Sequence, residues 1–239
     1  TVAVVVNAGA GIEYGTRRMM DHARARNLCR IIVVNRIDAD PGKLAALVDE
    51  LREAFGPECL PINLPADGGR RVVDCFWSTE GESDLGPVSV AHQRIIDQVV
   101  EINEQVMERY LEDGEEGLSG TALHDAFEQC LREGHLVPVC FTSARTGAGV
   151  AELLALAEKL LPNPAEGNPP PFEKNGQPIL ATPDAKAHVI ADVFKIVNDP
   201  FVGKLSVFRV FQGTVRRDSQ LFVDDGRKPF KVGHLFRLK

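Results

Sequence analysis

The sequence lacks the patterns by which metal centres, disulfide frameworks and membrane spans are usually recognised. Its five cysteines are widely spaced and form no Cys-x-x-Cys pair, and its six histidines show no ligand spacing. We therefore expect no metal ligands, and we expect reduced, buried thiols of the kind found in cytoplasmic proteins. No run of about 18 consecutive apolar residues occurs, so no membrane partner is expected.

Positive charge is also in short supply. The formal net charge is −7, which argues against an extended nucleic-acid-binding surface, and we expect no direct DNA binding. Hydrophobic residues nevertheless make up 44% of the 239 positions, enough for a core of ordinary size in one large domain or two modest ones.

Strand and helix patterns alternate in the first third of the chain. Val2 to Val6 is a continuous apolar run, β-branched except at Ala3, and is typical of a strand that is buried on both faces. Glu13 to Arg26 has helical spacing, and Ile31 to Val34 is the next apolar strand. A second helix is predicted to start near Pro41 and to stop at Gly56. This alternation predicts a parallel sheet with right-handed crossovers.

An insertion, residues about 63–136, separates these elements from a further strand, Val137 to Phe141, and the helix Val150 to Leu161. It is predicted to contain two helices, the first from Val90 to Leu111 and the second starting at the N-cap Ser119. The first carries acidic residues at helical spacing, namely Glu101, Glu104, Glu108 and Glu112. This stripe is compatible with a solvated helix face or with a docking surface for a basic partner.

The last third of the chain differs in composition. Seven of the fifteen prolines fall between Pro162 and Pro183, which predicts a semi-rigid linker at 164–185. Beyond it, at 186–239, apolar residues alternate with polar ones between glycines, which is typical of antiparallel strands in a small barrel. The number of strands is too small to close a barrel comfortably.

A candidate base-reading motif follows the second predicted strand. Asn35-Arg36-Ile37-Asp38 matches the Asn-Lys-x-Asp element of GTPases except at Arg36, and it lies where open parallel sheets bind ligands. The Asp38 carboxylate can accept from the ring N–H and the exocyclic amino group of guanine, a donor pair that adenine lacks. Asn35 can tie neighbouring loops together, and the planar guanidinium of Arg36 can stack on the base. Four residues alone are equally compatible with an ordinary turn.

A second element supports the first. Thr142-Ser143-Ala144-Arg145 follows the strand Val137 to Phe141 and precedes a helix, as the Ser-Ala-Lys element of GTPases does. A backbone N–H around Ala144 would donate to the guanine carbonyl oxygen, where adenine presents a donor. The predicted guanine site therefore comprises Asn35, Arg36, Asp38, Ser143, Ala144 and Arg145, with no catalytic residue and no metal ligand.

Two motifs that handle phosphates are missing. The sequence contains no Gly-x-x-x-x-Gly-Lys-Ser/Thr, so it has no phosphate cradle, and no Asp-x-x-Gly to hold Mg²⁺ and sense the γ-phosphate. Both normally lie upstream of the strand that starts at Val2, and Thr1 enters that strand without a lead-in. We therefore expect a chain cut within a domain, inactive in GTP hydrolysis alone and at best a very weak binder of guanine nucleotides.

One competing interpretation starts from Gly9-Ala10-Gly11, which resembles the first turn of a dinucleotide-binding fold, with Arg36 facing a 2′-phosphate. The third glycine position is Tyr14, however, and this interpretation leaves Ser143-Ala144 and the insertion unexplained. A third hypothesis is a non-catalytic module that binds protein partners through the insertion or the barrel surface.

Over essentially its whole length the chain resembles bacterial elongation factor G, and more closely its elongation factor G-like paralogues. Besides the two base-reading elements, the resemblance rests on Gly11-Ile12-Glu13, Tyr110-Leu111-Glu112, Leu160-Leu161-Pro162, the run from Phe194 to Leu205, and Phe208-Arg209-Val210. Two departures point to a paralogue: Arg36 replaces the family's lysine, and the segment from Val6 to Ala10 lacks the usual aspartate. Class II release factors and ribosome protection proteins share the same layout.

The resemblance implies an α/β fold: a partial P-loop GTPase domain with a parallel sheet at 1–163, an α+β insertion within it, and the start of an antiparallel β-barrel domain at 186–239. It also implies that the ligand is GTP or GDP, accompanied by Mg²⁺ in the intact protein, and that the partner is the ribosome, met in the cytoplasm. In this family the insertion meets the ribosomal stalk protein, which would make the acidic stripe a docking face.

Overall fold

The computed structural model describes residues 1–102, 104–118, 120–163, 172–174, 176–223 and 226–237. The chain divides into two compact units, Thr1–Asn163 and Pro164–Lys239. Ser119, predicted to cap a helix, and the triple proline at 169–171 lie outside the described residues.

A parallel sheet of four strands forms the centre of the first unit, as the alternating pattern predicted. Its order is β1 (Val2–Asn7), β2 (Arg30–Asn35), β8 (Val137–Phe141) and β3 (Cys59–Pro61). Val2 lies opposite Arg30 and Asn7 opposite Asn35, so β1 and β2 end at the same level. Loops that leave the carboxyl ends of these strands therefore meet at one edge of the sheet.

The two strands with long β-branched runs differ in burial. Residues 30–34 of β2 are all buried, because strands pair with it on both sides and residues pack on both of its faces. Strand β1 lies at the edge of the sheet: Val4 and Val6 are buried, whereas Val5 is 61% exposed. The prediction that Val2 to Val6 is buried on both faces is therefore wrong, and β2 is the strand that is buried in this way.

Helices cover the sheet and build the insertion. They are α1 (Tyr14–Ala25), α2 (Leu44–Phe55), α3 (Val88–Val100), α4 (Glu104–Asp113), α5 (Gly120–Glu133) and α6 (Val150–Lys159). Met20 of α1 and Leu47 and Leu51 of α2 pack in one core with β1, β2 and β8. A second core joins α3, α5 and α6. No helix in the described parts of the chain is both long enough and apolar enough to cross a membrane.

The insertion departs from its predicted helices. A single helix was expected from Val90 to Leu111, but α3 ends at Val100 and a separate α4 begins at Glu104. Val100 and Val106 are both buried in the same core. On one continuous helix these two positions would lie roughly 120° apart around the axis, so a break between them lets both face the core.

Short antiparallel hairpins complete the insertion. Strand β4 (Asn63–Ala66) pairs with β5 (Arg71–Asp74), and β6 (Glu82–Ser83) pairs with β7 (Gly86–Pro87). Leu64 is buried in the core with α3 and α5, so the first hairpin is anchored to the helices of the insertion.

The described part of the second unit contains three antiparallel pairs of strands. These are β9 (Phe172–Lys174) with β10 (Gln177–Ile179), β11 (Ile190–Asp199) with β12 (Gly203–Gln212), and β13 (Gln220–Leu221) with β14 (Phe230–Lys231). The first pair falls within the stretch predicted as a linker. The antiparallel pattern is as predicted, but the described strands form no closed barrel, and Val232 is the only apolar residue among them and their described loops that is buried.

Candidate functional site

The predicted base-reading elements meet where β2 and β8 end. Asn35 is the last residue of β2, and Thr142 directly follows β8. The Thr142 amide donates to the Val34 carbonyl at 2.8 Å, and the Ile37 amide donates to the Thr142 carbonyl at 3.3 Å. The two parallel strands thus hold together two loops that lie more than 100 residues apart in sequence.

The side chain of Asn35 bridges the two loops. Its Oδ1 accepts from the Arg36 amide at 2.8 Å and from the Ala144 amide at 3.0 Å. The Ala144 N–H, which the sequence assigned to the guanine carbonyl oxygen, is therefore already engaged within the protein. Donation to a base requires this hydrogen bond to be shared or exchanged, and that role of Ala144 stays a prediction.

The carboxylate of Asp38 is held by two residues of the second loop. Ser143 Oγ donates to Asp38 Oδ1 at 2.6 Å, and the guanidinium of Arg145 donates to Oδ2 through Nε at 3.1 Å and through Nη2. The hydrogen bond from Ser143, and next to it that from Arg145, lowers the pKa of Asp38 below its ordinary value. The site therefore presents an ionised carboxylate, the acceptor that guanine requires.

Arg145 restricts what that carboxylate can still accept. A carboxylate offers about four lone-pair positions, and the contacts with Ser143 and Arg145 occupy three of them. Guanine presents two donors to this group, so paired recognition requires the Arg145 side chain to move away. That side chain is 79% exposed, so solvent can receive it at little cost.

Arg36 occupies an exposed position with left-handed backbone. Its φ is 67°, a conformation that is uncommon outside glycine, asparagine and aspartate. The hydrogen bond from its amide to Asn35 Oδ1 fixes this turn. Its stacking on a base stays a prediction.

The second loop depends on a glycine. Gly149 has φ 74°, and a Cβ added there would lie 2.1 Å from the carbonyl oxygen of Phe141. Its backbone can therefore pass directly over the end of β8. Inside the loop, the Ser143 amide donates to the Ala148 carbonyl at 2.8 Å, and Ser143 is fully buried.

Sequence reasoning missed Asn63, which fixes the end of β8 from the other side. Its amide side chain donates to the Phe141 carbonyl at 3.1 Å and accepts from the Phe141 amide at 2.7 Å. It thereby replaces the hydrogen bonds of a neighbouring strand, and Thr142 and Ser143 follow directly. The available signal was an asparagine in the apolar segment from Leu60 to Leu64, because a buried amide must find partners.

Two further observations concern possible metal sites and clefts among the described residues. Among the described residues, no group of three or more His, Cys, Asp or Glu side chains is placed to hold a metal ion. A cleft of about 370 Å³ lies elsewhere, lined by Trp77 and by Leu153, Leu156 and Lys159 of α6, and it shares no residue with the predicted guanine site.

Comparisons with known proteins show what the chain is similar to. Residues 1–163 match the family model described as "Elongation factor Tu GTP binding domain". The chain is 29% identical over 239 residues to the elongation factor G-like protein of Mycobacterium tuberculosis, in strains CDC 1551 / Oshkosh and ATCC 25618 / H37Rv, covering 92% of this chain and 32% of that protein. A crystal structure of a protein from Thermus thermophilus superposes with a TM-score of 0.73 at 30% identity, covering 98% of this chain and 35% of the other. The chain thus spans about a third of the length of these relatives.

Proposed function

The chain belongs to the family of elongation factor Tu GTP-binding domains, and on that premise we propose that it supplies the base-recognition half of a guanine-nucleotide site in a translational GTPase resembling elongation factor G. One observation carries the proposal. Asn35 and Asp38, at the end of β2, are joined by hydrogen bonds to Ala144 and Ser143, beyond the end of β8.

The chemistry of the proposed site is discrimination between bases. The ionised carboxylate of Asp38 accepts from the N–H and amino groups of guanine once Arg145 has moved, and adenine cannot supply both donors. Ser143 keeps the carboxylate oriented from a fully buried position. Arg36 covers the exposed face of the base. Family membership favours this interpretation over a dinucleotide site at Gly9-Ala10-Gly11.

The chain shows no comparable set of residues for binding the phosphate groups of GTP or GDP. Mg²⁺, when bound in an intact GTPase, neutralises charge on the phosphoryl groups during hydrolysis. The sequence contains neither the phosphate-cradling glycine loop nor the Asp-x-x-Gly element. We therefore expect no GTP hydrolysis by this chain alone, and an affinity for GDP only in roughly the millimolar range, because the charged part of the ligand lacks partners.

The proposed partner is the ribosome, encountered in the cytoplasm. The acidic residues of α4, Glu104, Glu108 and Glu112, are all exposed, whereas Val106 on the same helix is buried. An exposed acidic face of this kind fits a basic protein surface, and we propose the ribosomal stalk protein as its occupant. Reversing Glu104 and Glu108 to lysine should abolish capture by the stalk protein's C-terminal domain, and unchanged capture would exclude this surface.

Nucleotide titration followed by NMR tests the base-recognition proposal. GDP should shift the amide signals of Asp38, Ser143 and Ala144 with a clear preference over ADP. Asp38→Ala should remove that preference, because it deletes the acceptor that distinguishes the bases. The matched control is Asp40→Ala, which deletes a carboxylate two residues away that pairs with Lys43.

Equal responses to GDP and ADP, or a preference for GDP that survives Asp38→Ala, would contradict the proposal. Submicromolar GDP binding would contradict the expected weakness and would show that further groups of the chain contact the phosphates.

A further inference from the structure

The turn that joins β4 to β5 packs against the predicted base-reading loop that contains Ile37 and Asp38. Asp67, Gly68 and Gly69 have φ values of 55°, 67° and 72°. Gly68 is exposed, whereas Gly69 is buried. A Cβ added to Gly69 would lie 2.3 Å from the carbonyl oxygen of Ile37 and 3.3 Å from the amide nitrogen of Asp38. The backbone of this turn is therefore in direct contact with the peptide group that joins Ile37 to Asp38.

Asp84, between β6 and β7, fixes the turn in this position. Its Oδ2 accepts from the Gly68 amide at 3.0 Å and from the Gly69 amide at 3.1 Å. Its own amide donates to the Pro65 carbonyl at 2.8 Å. Both amides that define the bend are thus held by a single carboxylate, which is anchored on the hairpin next to it.

The peptide group touched by Gly69 is confined on its other side as well. Ile37 is fully buried, and its amide donates to the Thr142 carbonyl at 3.3 Å. Beyond the peptide, the side chain of Asp38 is held by Ser143 Oγ at 2.6 Å. A displacement of the Ile37–Asp38 peptide therefore moves the Asp38 carboxylate relative to Ser143, since close-packed neighbours leave no room to absorb it.

We propose that Gly69 is a positioning residue for base recognition: through its contact with the Ile37–Asp38 peptide, the β4–β5 turn of the insertion sets the position of the Asp38 carboxylate. The identity of the ligand as guanine rests on the proposed function above. The contact by which Gly69 positions the Ile37–Asp38 peptide does not depend on that function. A glycine is required at 69 for two reasons, the left-handed backbone and the absence of space for a Cβ.

Gly68 provides a matched control for Gly69. It lies in the same turn with nearly the same φ, but an added Cβ there meets nothing within 4 Å. Alanine at either position brings the same backbone strain, and only Gly69→Ala adds the clash with Ile37. A difference between the two variants therefore reports the contact and not the general stability of the turn.

The experiment compares the full chain with Gly69→Ala and Gly68→Ala by amide NMR spectra without ligand and by titration with GDP. Gly69→Ala should shift the amide signals of Ile37, Asp38 and Ser143 and should weaken GDP binding about tenfold or more, the loss expected for one misplaced charged hydrogen bond. Gly68→Ala should leave both unchanged. Equal effects of the two variants on these three signals would overturn the proposal.

Asp84 keeps the test decisive if Gly69→Ala does not fold. Asp84→Ala releases the turn without adding a clash and should shift the same three signals, whereas Asp84→Asn retains the accepting oxygen and should restore them. Failure of Asp84→Ala to move these signals would also overturn the proposal. If the wild-type chain shows no preference for GDP, the proposed function fails, while the ligand-free spectra still decide whether Gly69 supports the Ile37–Asp38 peptide.

Discussion

At the scale of single residues, the pKa of Asp38 directly reports the hydrogen bonds that its carboxylate accepts from Ser143 and Arg145. Ser143 and Arg145 both stabilise the charged carboxylate, so its folded-state pKa lies below the unfolded value of 3.8. The stability that results is fully present above pH 3.8 and is lost as the pH falls through the lower, folded-state pKa. Ser143→Ala should raise the pKa of Asp38 above its value in the unchanged chain, because the hydrogen bond from Ser143 is the largest single cause of the shift, and Arg145→Ala should raise it as well.

Carbon-13 NMR titration of the side-chain carboxyl signals measures this difference. Asp199 serves as an internal control, because hydrogen bonds from the Val202 and Phe201 amides lower its pKa independently of Asp38. An Asp38 titration that is unchanged in Ser143→Ala would mean that the hydrogen bond between them does not govern the charge of the site.

The residues of the predicted site belong to local sequence motifs, whereas the residues that support them do not. Asn35, Asp38 and Ser143 were predicted to recognise a base because each lies in a motif at a strand end, and that role stays a prediction. The contacts of Asn63 and Gly69 depend on pairings across 78 and 32 positions of sequence, and no local pattern encodes such pairings. The ion pair between Arg145 and Asp38 likewise joins residues that are far apart in sequence. The burial of the five free cysteines, by contrast, followed from the lack of any ligand or disulfide pattern.

At the scale of secondary-structure elements, β1 is the strand of the first unit that is open to pairing with another chain. It lies at the edge of the sheet, contains no charge or proline from Val2 to Val6, and presents Val5 to solvent. Edges of this kind pair readily with other chains unless a charged residue blocks them. Val5→Lys should therefore reduce self-association, while the free energy of unfolding changes by no more than about 0.5 kcal/mol, because position 5 is exposed.

Sedimentation velocity at increasing protein concentration tests this prediction. Val90→Lys is the control, because Val90 is 48% exposed on α3, a helix that packs against β3 at the other edge of the sheet. If Val90→Lys reduced association as much as Val5→Lys, general surface hydrophobicity and not the strand edge would be responsible.

Helices were predicted well where burial of one face gives their apolar residues a helical spacing. They were predicted less well where packing in the core requires the helix to break. The spacing in α1 and α2 located both helices to within a few residues of the bounds in the structure. The interruption between α3 and α4 was missed, because a helical stripe read from sequence does not show that Val100 and Val106 must face one core.

At the scale of the whole molecule, the two units differ sharply in their buried apolar residues. The first contains two large cores, whereas Val232 is the only buried apolar residue in the described part of the second, where Phe194 is 61% exposed and Phe201 is 96% exposed. Isolated two-stranded hairpins are marginally stable in water. Limited trypsin digestion should therefore cut first within 172–237 and leave a resistant fragment close to residues 1–163.

Mass spectrometry of the digestion products identifies the first cut. Lysines and arginines are present in both units, so the availability of cleavage sites does not favour either. Early cleavage within α2 or α5 would show that the first unit opens as readily as the second.

The amide of Asn63 does something that a carboxylate of nearly the same size could not do. Its Nδ2 donates to the carbonyl oxygen of Phe141 at 3.1 Å, and its Oδ1 accepts from the Phe141 amide at 2.7 Å. An ionised aspartate has acceptors only, so Asn63→Asp would turn two oxygens towards each other in a buried place. The end of β8 would then loosen, and with it the loop that is predicted to read guanine.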